Sequence, residues 1–386
     1  MQRGIPFVFM RGGTSRALFF KEEDLPEAGP VRDRVIMAAY GSPDPNGRQI
    51  DGLGGATSTT SKVAIISRRP GLKNGINYTF GQVGISQPMI DYKGNCGNIS
   101  SAVGPYAVDE GLVDEVEEPY TTVSIYNTNT RKLIMSRVPV EKGRHKVEGD
   151  FAIAGIPGTG AQLDLDFLEP GGAVTGKLLP TGRVLDTLTT PFGAFEASMV
   201  DAANPLVFVA ASDLGISGVE LPARVDSDAE LLAKIEAIRA AAAVAVGLAA
   251  SVETAASSPA VPKIAFVSPP QDYTCVNGTV VSRDEIDVVC RIISMGRLHN
   301  AYAISGAVCT AAAAKLEGSV GWSALSAEAR DASIVRLGHP TGVLPVEITM
   351  KQGPAGTLEV QKVTAFRTAR RLAEGVVLVP EEHFQI

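Results

Sequence analysis

The chain of 386 residues is 45% hydrophobic and 20% charged, with a formal net charge of −7. That composition excludes a disordered chain, and the length points to two or three domains. Because the balance is acidic and no Lys/Arg run exceeds two residues, neither nucleic acid nor an anionic membrane is an expected partner.

The N-terminal segment meets Arg11 before any long apolar core develops, so no secretory signal is expected. The first strand is expected over Ile5–Met10, followed by the turn Arg11-Gly-Gly-Thr14-Ser15-Arg16 and a second strand over Ala17–Phe20. A glycine-rich loop from Asp51 leads through the polar run Thr57–Lys62 into the strand Val63–Ile66. Strands over Met89–Tyr92 and Thr122–Tyr126 flank the turn Gly94-Asn-Cys96-Gly97-Asn98, which opens a helix to about Gly111. That helix consists largely of Ser, Ala and Gly, apolar nearly all round, and is expected to be buried in a wrapped sheet. The Gly/Pro-rich stretch 170–180 reads as a crossover between domains. The Ala-rich segment Leu231–Ser251 carries Lys234, Glu236 and Arg239, which favours an amphipathic or buried helix over a membrane span. A second small-residue helix is expected over about 303–315, after His299-Asn300, and Gly338-His339-Pro-Thr341-Gly342 joins two strands. Cys96, Cys275, Cys290 and Cys309 lie far apart with no C-x-x-C pair, so neither a disulfide framework nor a zinc site is expected. Four free thiols fit a reducing cytoplasm.

A weak internal repeat sets the architecture. The segment beginning at Met10 resembles that beginning at Met199, 189 positions on. Ser61-Lys62-Val-Ala-Ile-Ile-Ser resembles Pro262-Lys263-Ile-Ala-Phe-Val-Ser, 201 positions on, and Ile99-Ser-Ser-Ala-Val-Gly resembles Ile304-Ser-Gly-Ala-Val-Cys, 205 on. Thr130 then answers to Thr341 and Glu148-Gly149 to Glu374-Gly375, at offsets of 211 and 226. Offsets that only rise are what a duplication with later insertions leaves behind. Two homologous α/β domains are therefore expected, residues 1–185 and 186–386, with a ligand in the cleft between them.

The chemistry concentrates in three turns. Cys96 precedes a helix whose dipole stabilises a thiolate, and the N–H groups of Gly97 and Asn98 can hold a carboxylate or a developing enolate. The plain alternative is a buried thiol in a tight turn. Lys62 ends a polar run at a strand mouth, where a lysine is ordinarily a solvated edge residue; desolvated, it can lose its proton near neutral pH and act as a base. In the first turn either Arg11 or Arg16 can grip a carboxylate bidentately, and Thr14 and Ser15 can donate to it, the plain alternative being an ordinary hairpin. His299, His339 and Thr341 can supply an acid, a donor or simply turns, and no carboxylate stands at ligand spacing to either histidine. No dinucleotide loop, phosphate loop or nucleophile elbow is present, so protein side chains are expected to act without a cofactor.

Met10-Arg-Gly-Gly-Thr-Ser, Gly41–Lys62 and Gly94-Asn-Cys-Gly-Asn-Ile-Ser-Ser-Ala-Val-Gly-Pro together resemble the PrpF family of isomerases, with weaker echoes at Met295–His299, Gly338–Gly342 and Arg367–Leu372. The resemblance implies a diaminopimelate-epimerase-like α/β (α+β) fold of two pseudo-twofold related domains, each with a sheet wrapped around a central helix. It also implies a cofactor-independent shift of a double bond in a small di- or tricarboxylate, of the methylitaconate, methylaconitate or 4-oxalomesaconate kind, with Lys62 and Cys96 catalytic. Arg16-Ala17 departs from the Lys-Gly common in that family. A non-catalytic carboxylate-binding or accessory protein is the alternative from another class, although the chain keeps both Lys62 and Cys96. Which of the two removes the proton stays open, as does assembly into a homo-oligomer.

Overall fold

The computed structural model describes residues 1–353 and 358–385. In chain order its elements begin with β1 (Gln2–Gly12), β2 (Ser15–Lys21), α1 (Pro30–Tyr40), β3 (Lys62–Arg68), β4 (Gly75–Val83), β5 (Ile90–Asp91) and α2 (Gly97–Asp109). They continue with β6 (Tyr120–Asn127), β7 (Lys132–Glu141), β8 (Arg144–His145), β9 (Leu163–Leu168), β10 (Asp186–Thr190), β11 (Gly193–Ala202) and β12 (Asn204–Ala210). Next come α3 (Pro222–Asp226), α4 (Ala229–Ala245), β13 (Lys263–Ser268), β14 (Tyr273–Thr274), β15 (Val280–Val281), β16 (Val288–Ser294) and β17 (Arg297–Leu298). The last are α5 (Ile304–Ala314), α6 (Val320–Ala324), β18 (Ile334–His339), β19 (Gly342–Gln352), β20 (Leu358–Arg367) and β21 (Ala369–Pro380).

These elements form two compact units. In the first, strands run β21-β1-β2-β3-β4-β6-β7, paired antiparallel, antiparallel, parallel, antiparallel, parallel, antiparallel. In the second, β10-β11-β12-β13-β16-β18-β19 repeat that sequence of senses step for step. The register agrees as well: Lys62 lies opposite Ala17, and Lys263 opposite Leu206.

Each sheet is wrapped on a helix that only small side chains allow. From Gly97 to Val108 every residue of α2 is buried, as is all of α5. A Cβ on Gly104 would stand 2.6 Å from Ser136 Oγ, closer than van der Waals contact permits, so glycine lets β7 approach the helix. Outer helices carry ordinary apolar packing: α1 lies on β2 and β3 through Val35, Ile36 and Tyr40, and α4 covers β11–β13 through Leu231, Ile235 and Ile238. α4 is the helix expected in the Ala-rich segment, started by Asp228, whose carboxylate accepts from the Leu231 N–H at 3.0 Å. Among the described residues no helix is long and apolar enough to cross a membrane.

Two sequence expectations change in detail. The strand read over Met89–Tyr92 shortens to Ile90–Asp91, because Tyr92 turns away to bond Asp33 while its carbonyl accepts from Asn129. The two units also divide differently from halves cut at 185/186. The chain from Arg367 onward belongs to the first unit, since β21 zips along β1 from Gln2↔Pro380 to Gly12↔Ala369.

Candidate active site

The first unit sets Lys62 at the start of β3 and buries it to 7% exposure. Its backbone is fixed from below: the Tyr40 hydroxyl on α1 donates to the Lys62 carbonyl and accepts from the Leu18 N–H. Its ammonium lies over the Phe80 ring, 5.3 Å from the centroid, and Nζ donates to Gln82 Oε1 at 2.6 Å. Among the described residues no carboxylate pairs with it, and burial holds the Lys62 pKa below the usual lysine range, opposed by the charge of Cys96. Tyr78 joins them: burial raises its pKa well above the usual phenol range, and the Cys96 charge raises it further.

Cys96 is the N-cap of α2, with extended backbone at φ −115°, and is half-exposed, whereas Cys275, Cys290 and Cys309 are buried. Its carbonyl accepts from the Ser100 N–H at 2.8 Å, closing the first helical turn and leaving the N–H groups of Gly97 and Asn98 at the helix mouth. Upstream, Asn95 is buried and its Oδ1 accepts from Ser100 Oγ at 3.2 Å and from Asn127 Nδ2 at 3.4 Å.

The β1–β2 hairpin caps this helix mouth. Asn98 Nδ2 donates to Thr14 Oγ1 at 3.1 Å, and its Oδ1 accepts from the Thr14 N–H at 3.4 Å. The hairpin packs so closely that a Cβ on Gly12 would come to 2.2 Å from the Asn98 carbonyl oxygen. Ser15 Oγ is buried and has no hydrogen-bond partner among the described residues, which leaves it free to meet a ligand. Arg11, expected to grip a carboxylate, instead gives Nη1 to the carbonyls of Gly13 and Thr368, both at 3.0 Å, and so braces the hairpin. The departing residue Arg16 lays its guanidinium on Phe9, 5.1 Å from the ring centroid.

His299, His339 and Thr341 belong to the second unit. His299 Nδ1 accepts from the Ala301 N–H at 3.0 Å ahead of α5, and His339 Nδ1 lies 3.2 Å from Thr341 Oγ1 in the β18–β19 turn. Both histidines are buried and serve their own turns in these bonds. Among the described residues no group of three His, Cys, Asp or Glu side chains is placed to hold a metal ion.

The structure thus gathers Lys62, Cys96, Gly97, Asn98, Thr14, Ser15 and Arg11 in one unit. It adds Gln82, Phe80 and Tyr78, which the sequence reading did not single out. Their signal was present as alternation on one face of β4 opposite β3, where Gln82 pairs with Lys62, Phe80 with Ala64 and Tyr78 with Ile66.

Comparison with known proteins gives the same direction. The family model described as PrpF protein matches residues 2–380. A 3-methylitaconate isomerase of Eubacterium barkeri is 47% identical over 98% of this chain and 98% of its own. A 2-methyl-aconitate isomerase of Shewanella oneidensis is 41% identical over 97% and 96%, respectively. A 4-oxalomesaconate tautomerase of Pseudomonas putida is 37% identical over 98% and 97%. Among solved structures, methylitaconate-delta-isomerase matches with a TM-score of 0.78 at 46% identity, covering 100% of this chain and 97% of that one. A hydroxyproline epimerase from Agrobacterium vitis, at a TM-score of 0.55 and 12% identity over 98% and 94% of the two chains, shares the fold alone. The α/β (α+β) architecture is the diaminopimelate-epimerase-like one.

Proposed function

The chain belongs to the PrpF protein family, and from that premise we propose that it is an isomerase moving an allylic proton in a small unsaturated di- or tricarboxylate, with 3-methylitaconate or 2-methylaconitate as substrate. One arrangement carries this reading: the same unit holds a buried lysine at the start of β3, with no carboxylate partner among the described residues, and a half-exposed cysteine that caps the N-terminus of a buried helix.

An allylic C–H beside a conjugated carboxylate becomes acidic only when the dienolate charge is stabilised. The N–H groups of Gly97 and Asn98 meet that charge, and Ser15 Oγ adds a donor. Of Lys62 and Cys96, one removes the proton and the other returns one to the far end of the three-carbon system, so the double bond moves and no atom is gained or lost. Each turnover leaves the pair with exchanged protonation states, which must be reset before the next. Desolvation of Lys62 helps by keeping its uncharged form accessible. The four free cysteines suit a reducing compartment, and we assign the protein to the cytoplasm.

The test is proton NMR in D₂O with 3-methylitaconate, 2-methylaconitate and 4-oxalomesaconate. Enzyme-dependent double-bond migration with deuterium uptake at the allylic carbon, lost by at least about a hundredfold in both Lys62→Met and Cys96→Ser, is expected. Turnover of 4-oxalomesaconate alone would select the tautomerase reading. Either variant within about tenfold of wild type would remove that residue from the chemistry.

A further inference from the structure

Gln82 lies directly opposite Lys62 across the β3–β4 ladder, so both side chains rise on the same face. Gln82 is 5% exposed and its amide is engaged at both ends: Oε1 accepts from Lys62 Nζ at 2.6 Å, while Nε2 donates to the Ser61 carbonyl at 2.9 Å and the Ser58 carbonyl at 3.2 Å. A flipped amide would set its oxygen against two carbonyls and its NH₂ against an ammonium, so the orientation is fixed by the network. The same network holds the lysine loop. The Ser61 carbonyl also accepts from the Val83 N–H at 3.0 Å, and Ser61 Oγ donates to Gln49 Oε1 at 2.7 Å. Gln49 Oε1 in turn accepts from the Ala56 N–H at 2.8 Å, tying the glycine-rich loop to the residue before Lys62.

An amide oxygen can accept a hydrogen bond from a neutral amine as well as from an ammonium. It orients Nζ without trapping the proton, whereas a carboxylate at the same distance would hold lysine in its charged form. We propose that Gln82 is the positioning residue of Lys62, fixing the direction of its amine while carrying no charge, so that Lys62 can cycle between protonation states during proton transfer. This inference rests on the acid–base reading of Lys62.

Two variants test it. Gln82→Met removes the acceptor and is expected to lower kcat about 10- to 100-fold, as misplacement of a reacting group does, with KM within about threefold. Gln82→Glu, nearly the same size, is expected to move the limb of the pH–rate profile that belongs to Lys62 upward by about one unit or more. Heteronuclear NMR of Lys62 Nζ should show the same upward shift without reference to turnover. The inference is overturned if Lys62 titrates in Gln82→Glu as it does in wild type, even where Gln82→Met is slow, since that combination marks a structural role only. It is overturned equally if Gln82→Met keeps kcat within about twofold. Lys62→Met separates the two readings. If that variant stays active, the acid–base reading of Lys62 fails while the NMR titration still reports whether Gln82 sets its charge.

Discussion

Lys62 and Lys263 occupy matching register positions in the two units yet end on different partners. Nζ of Lys62 donates to the side chain of Gln82 at 2.6 Å, whereas Nζ of Lys263 donates to the backbone carbonyl of Ala260 at 3.0 Å. The lysine stands at the same register position in both units, and its immediate surroundings differ.

The contrast sets the first expectation. At the position 205 residues beyond Cys96 the second unit has Ala301, and the thiol whose pKa Lys263 lowers, Cys309, is buried, with its pKa raised overall. Lys263→Met should therefore lower the melting temperature, by removing a buried hydrogen bond, and leave kcat within about tenfold. Lys62→Met should leave the melting temperature closer to wild type and abolish turnover. Parallel kinetics and melts check this, and equal losses of kcat in the two variants would contradict it.

Thiol accessibility offers a second. Burial raises the pKa of Cys290 to about 12 and pushes Cys275 and Cys309 upward as well, while Cys96 is half-exposed at a helix N-terminus. Iodoacetamide on the folded protein is expected to modify one thiol per chain, at Cys96, with inactivation in step. Peptide mass spectrometry locates the label. Labelling of a second cysteine before activity is lost would be the contrary result.

Gly12 supplies a third. A Cβ there would meet the Asn98 carbonyl oxygen at 2.2 Å and Ala102 Cβ at 3.1 Å, contacts that no rotamer change relieves. Gly12→Ala must push the hairpin off the helix mouth, costing about 1–3 kcal/mol by overpacking and reducing kcat/KM about a hundredfold through displaced donors. Gly176→Ala, in open space at φ +85°, is the backbone-strain control and should leave kcat/KM unchanged. Urea unfolding and steady-state kinetics read both.

A buried histidine makes stability depend on pH. His145 is 6% exposed, neither ring nitrogen has a hydrogen-bond partner among the described residues, and its pKa is lowered to about 4, first by burial and then by Arg11. Asp109, whose carboxylate accepts from the backbone N–H of His145 at 2.9 Å, stands beside it, with Arg371, Arg144 and Glu110 acting on Asp109 in turn. With an unfolded value near ~6.5, the unfolded chain binds the extra proton between the two, so stability is full above pH ~6.5 and falls as the pH drops toward the folded value. The loss approaches about 3 kcal/mol at the acid end of that window. His145→Leu should flatten urea-measured stability between pH 6.5 and 4.5; an unchanged slope would assign the effect to other groups.

The parts legible beforehand share one physical trait: they are local. Gly94–Asn98 carries its own turn, cap and helix start, and Thr57–Lys62 its own passage from polar loop to apolar strand. The small-residue helices declared their burial by composition, and the structure fixes them at Gly97–Asp109 and Ile304–Ala314. Arg11 shows where local reading stops, because nothing near it in the chain announces that Thr368, 357 residues away, would take its guanidinium.

The sequence alone determined that Lys62 and Cys96 belong to specific turns, that a duplicated α/β scaffold carries them, and which family they resemble, since side-chain type and short spacing encode all three. Only the tertiary structure decided that Lys62 faces an amide rather than a carboxylate, that β21 completes the first unit, and that the His145 ring is buried with neither nitrogen bonded among the described residues. Each of those depends on strand register and long-range burial. Register joins residues 20 to several hundred positions apart, and no local pattern records which neutral or charged group the ladder will bring opposite.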